Sequence, residues 1–125
     1  MIRHYRDLEV WQRAMDIVEA IYRETKSFPS SEIYGLTNQI RRAAVSIPSN
    51  IAEGHGRSER EFARFLTIAR GSLAELETQL ELACRIGFLP KENFAAINQS
   101  LTVLGKQLNV LSQRVNASLP PTNDK

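Results

Sequence analysis

The run SEREFARFLTIARGSLAELETQLELA, residues 58–83, decides the fold. Within it Phe62, Leu66, Ala69, Leu73, Leu76, Leu80 and Ala83 recur at alternating spacings of four and three. Such spacing keeps every one of them on a single stripe of an α-helix, with the regularity that the core of a helical bundle requires. Ser58-Glu59-Arg60-Glu61 has the form of a capping box that opens this helix, and Gly87 is placed to close it.

Working outward, the same device recurs on both sides. Downstream, Pro90 suits the first turn of a helix that carries Phe94, Ile97, Leu101, Leu104, Leu108, Leu111 and Val115. Upstream, Ser30 or Ser31 can cap a helix with Ile33, Leu36, Ile40, Ala43, Ala44, Ile47 and Ile51. Pro48 falls inside that pattern and predicts a kink, because it lacks a donor and crowds the carbonyl of Ala44. Gly54 or Gly56 then ends the helix, as either can take the left-handed conformation of a C-cap. The first helix is expected to follow an Asp7 N-cap and to stop before Phe28-Pro29. One of its faces holds Leu8, Trp11, Met15, Val18, Tyr22 and Thr25, and a second stripe beside it holds Val10, Ala14, Ile17 and Ile21. No segment shows the alternation of a strand. The fold class that follows is all-α: an antiparallel, up-down-up-down four-helix bundle over residues 1–117, with a flexible tail at 118–125.

Composition excludes several function classes. Among 125 residues there is one cysteine, Cys84, so neither an internal disulfide nor a multi-cysteine zinc site is available. The two histidines, His4 and His55, make a poor catalytic or metal inventory, and no phosphate loop, dinucleotide-binding glycine motif or His-Glu-x-x-His motif is present. Neither an apolar run at the start nor a stretch long enough for a membrane span is found, so a cytoplasmic location is expected. The expectation is no enzyme, no cofactor and no metal.

Net charge is only +2, but the basic side chains are twelve Arg against four Lys. Arg57, Arg60 and Arg64 fall on one face at the start of the third helix, with Arg41 and Arg42 nearby in sequence. Together they suit phosphate, and hence RNA or DNA; the alternative is a solvated, ion-paired face. Arg42, Ser46, Asn50 and Glu53 recur at 4,4,3 spacing and form a polar strip along the second helix. A structural role around Pro48 is favoured over a ligand site for that strip. Surplus apolar surface is the remaining clue. Val10, Ala14, Ile17 and Ile21, with Phe65 and Ile68, exceed what one core stripe needs and are the candidate surface for self-association. The alternative is that oblique packing within one bundle covers them.

Four segments carry a resemblance: DLEVWQ at 7–12, IYGLTNQIRRAAVSIPSNIAEG at 33–54, EFARFL at 61–66 and GSLAELET at 71–78. They closely resemble the bacterial 23S rRNA intervening-sequence proteins, also labelled the S23 ribosomal protein family. The resemblance spans roughly residues 5–115 and is loosest in the fourth helix. It implies a four-helix bundle that assembles into a ring, commonly a homopentamer. The chain is also similar to accessory proteins of diversity-generating retroelements, which are basic pentamers that engage a reverse transcriptase and nucleic acid. Two functions are thereby set against each other: a non-enzymatic oligomeric scaffold or adaptor with protein partners, and an oligomer that binds RNA or DNA through Arg41, Arg42, Arg57, Arg60 and Arg64.

Overall fold

The computed structural model describes residues 4–121. Four helices account for most of them: α1 (Glu9–Thr25), α2 (Leu36–His55), α3 (Glu59–Arg85) and α4 (Lys91–Ala117). Short 3₁₀ turns at Tyr5–Asp7 and Ser30–Glu32 precede α1 and α2, and no strand occurs among the described residues. Each helix packs on its neighbours in sequence, α4 closes against α1, and the α2–α3 pair packs most extensively. The result is the expected four-helix bundle. Residues 122–125 of the expected tail lie outside the described residues, and α4 ends at Ala117.

The core confirms the decisive stripe. Phe62, Leu66, Ala69, Leu73, Leu76, Leu80 and Ala83 are all buried, and they meet Ile40, Ala44, Ile47 and Ile51 of α2 and Leu101, Leu104 and Leu108 of α4. Removing one such side chain costs about 2–5 kcal/mol.

Helix ends follow local chemistry, with some departures from expectation. Ser58 caps α3, its Oγ accepting from the Glu61 backbone N–H at 3.2 Å. The Glu61 carboxylate turns to Arg64 instead. At the other end Gly87 takes φ +90°, while Phe88 N–H reaches Ala83 O (2.9 Å) and Gly87 N–H reaches Cys84 O (3.1 Å). These are the paired bonds of a Schellman C-cap. Leu8, not Asp7, is the N-cap of α1, and Pro90 stands at the N-cap of α4. Ser30 and Ser31 belong to the 3₁₀ turn, so α2 starts later than expected, at Leu36, and Ile33 is left exposed. Glu32 takes over the capping role, its carboxylate accepting from Leu36 N–H at 3.0 Å. Helix α2 runs through Pro48, and its C-cap Gly56 has φ −82°, so no left-handed residue is used there.

Candidate interaction surface

The five arginines do not form one cluster. Arg41 and Arg42 lie near the start of α2, whereas Arg57, Arg60 and Arg64 surround its far end. Some fifteen positions of mostly helical chain separate the groups, roughly 20 Å at 1.5 Å per residue. Arg57 pairs with Glu53 at 3.1 Å and Arg64 with Glu61 at 2.8 Å. Both guanidinium groups also lie over the Phe65 ring, at 5.3 and 4.7 Å from its centroid. The hydrogen bond from Arg64 holds the Glu61 carboxyl below its ordinary value and raises that of Arg64 in turn. Arg60 is exposed and joins none of the ion pairs among the described residues.

The polar strip is divided among separate tasks. Ser46 Oγ lies 2.8 Å from Ser72 Oγ of α3 and ties the two helices together. Asn50 Nδ2 donates to Ser46 O (2.7 Å) and to Ser46 Oγ (2.9 Å). Glu53 serves Arg57, not Arg42. Arg42 faces an open α2–α3 cleft that it shares with Glu75 and Gln79.

The expected self-association residues need correction. Val10, Ala14, Ile17 and Ile21 are buried in the core of their own bundle. Phe65 is buried as well, against Gly54, and of this set Ile68 alone is exposed. The other stripe of α1 is divided: Leu8 and Thr25 are buried, Trp11 and Val18 pack partly buried against the core, and Met15 and Tyr22 stand out at the α1–α2 seam. Met15 is 37% exposed, Tyr22 41%, and Val45 opposite them 39%. A groove of about 280 Å³ runs along this seam over Trp11, Met15, Val18, Val45, Pro48 and Ala52. Both stripes have helical periodicity, so spacing could not choose between them.

In the α1–α4 groove Asn93 donates to both carboxylate oxygens of Glu24, and Arg13 donates to Gln107. His55 packs edge-on against Phe62, and His4 lies tilted on Tyr5, its Nδ1 accepting from the Arg6 backbone N–H at 3.2 Å. Among the described residues no helix is long and apolar enough to cross a membrane, and no group of three His, Cys, Asp or Glu could hold a metal ion.

Comparison with known proteins places this geometry. Residues 6–110 match the family model described as 23S rRNA-intervening sequence protein. Among solved structures, the chain is similar to a protein of unknown function from the S23 ribosomal protein family of Bacteroides thetaiotaomicron VPI-5482. The TM-score is 0.77 at 26% identity, over 83% of this chain and 95% of that one. No curated protein matches.

Proposed function

This chain belongs to the 23S rRNA-intervening sequence protein family, and from that premise we propose that it is a non-catalytic scaffold that works by assembling with copies of itself. One observation carries the reading: the outer α1–α2 seam. Trp11, Met15, Val18, Val45 and Pro48 line one continuous groove there, with no charged side chain among its lining residues. A second copy of the chain would remove this surface from water at roughly 25 cal/mol per Å² of apolar area. The resemblance read in the sequence suggests a ring of copies, five in number. A cytoplasmic location and a protein partner held by the ring belong to the same proposal.

The test is the mass in solution beside a variant with a charge in the groove, Met15→Glu. Met15 is exposed enough for the variant to fold, so a smaller species reports the contact and not the core. Nucleic-acid binding through Arg57 and Arg64 is the weaker reading, since both are engaged with Glu53, Glu61 and Phe65.

A further inference from the structure

At the loop end of the same seam the surface changes character. Tyr22, Tyr34, Asn38, Arg41 and Arg42 line an open cavity of about 610 Å³, walled by Ile33, Val45 and Ser46. None of these lining residues is acidic. We propose that this cavity binds a nucleobase bearing a phosphate, either as a free nucleotide or as an unpaired segment of RNA.

Three features point to that chemistry. Tyr34 is 93% exposed in the turn before α2, where a bare aromatic ring gains nothing from the fold and offers a face for stacking. Arg41 is held in place: its Nε donates to Thr25 Oγ1 at 2.9 Å and its guanidinium lies over the Tyr22 ring, 4.7 Å from the centroid. Thr25 Oγ1 in turn donates to Ile21 O at 2.8 Å, so the anchor is itself anchored. Such an arginine has little side-chain entropy left to lose when it meets an oxyanion. Arg42 is exposed beside it and makes no ion pair among the described residues, although Glu75 shares the neighbouring cleft. Asn38 adds an exposed amide whose donors and acceptor can meet a base edge. An aromatic face, an amide and the two guanidinium groups that the sequence already offered for phosphate thus line one cavity. Tyr34 and Arg42 stand eight positions apart, and the entry into α2 lays them along one cavity.

The experiment measures binding of a fluorescent oligouridylate by anisotropy, and of uridine monophosphate by calorimetry, to wild type, Tyr34→Ala, Tyr34→Phe and Arg42→Ala. Tyr34→Ala is expected to weaken binding about tenfold, in the range for loss of one base–aromatic stack. Tyr34→Phe is expected to keep the affinity. Arg42→Ala is expected to weaken binding and to flatten its salt dependence by about one phosphate contact. Tyr34-dependent binding of the monophosphate identifies a nucleotide site, and Tyr34-dependent binding of the oligomer alone identifies an RNA segment; both support the proposal. It is overturned if neither probe binds at low salt, or if Tyr34→Ala binds as wild type. Equal, Tyr34-independent binding of inorganic polyphosphate, or a change of assembly mass in place of affinity, overturns it too.

Discussion

A Cβ added at Gly54 of α2 would lie 2.5 Å from the Cβ of Phe65 of α3. The backbones of the two helices therefore approach as closely as they do because residue 54 has no side chain. That approach buries Phe65 and brings Arg57 and Arg64 over its ring. Gly54→Ala should lower stability by about 1–3 kcal/mol, despite the better helix propensity of alanine, because the clash is with an atom next to the main chain. Gly71→Ala is the control. No atom lies within 4 Å of the added methyl there, so stability should rise by up to about 1 kcal/mol in chemical denaturation. Equal behaviour of the two variants would refute this reading of the contact.

The burial of the second stripe of α1 is tested by truncation. Ile21→Ala removes a fully buried side chain and should cost about 2–5 kcal/mol of stability. Met15→Ala, on the exposed stripe, should change the stability of the single bundle by less than about 1 kcal/mol. Denaturant midpoints measured in dilute protein decide, and the reverse order would restore the second stripe to the surface.

These cases show where the sequence was legible. The strict four-three stripe of α3 predicted its main core residues, because side chains at that spacing share one face, but it did not show that Phe65 beside it is buried as well. Helix α1 offered two stripes, and which residues face inward is set by its tertiary packing. The start of α2 was missed because Ser30 and Ser31 are good caps by type, yet the chain turns in a 3₁₀ segment and uses the Glu32 carboxylate instead. Gly54 read as a helix end from sequence. Its purpose, the crossing with Phe65, is a tertiary contact that local pattern does not encode. The cavity beside Arg41 and Arg42 was hidden in part for the same reason: Tyr34 is close to them in sequence, but Tyr22 reaches them only through the packing of α1 on α2.

The Glu61–Arg64 pair gives a pH prediction. The Glu61 carboxyl is held below its ordinary value, chiefly by the Arg64 hydrogen bond. A depressed carboxyl pKa makes a stabilising contribution that is present above the unfolded value and is lost as pH falls through the lower folded value. NMR titration of the Glu61 side chain should show the depressed midpoint, and Arg64→Ala should return it toward the ordinary carboxylate value. The pair is solvent-exposed, so the variant should leave the denaturation midpoint at neutral pH almost unchanged. A Glu61 midpoint indifferent to Arg64→Ala would contradict the assignment.

Self-assembly through the α1–α2 seam is most directly tested by sedimentation of the wild-type chain at micromolar concentration, beside Met15→Glu. The expected result is a wild-type species of several times 14.1 kDa, and a smaller one for the variant with its helical circular dichroism intact. A wild-type chain that sediments as a single 14.1 kDa species, or a Met15→Glu variant that assembles as wild type does, would contradict it.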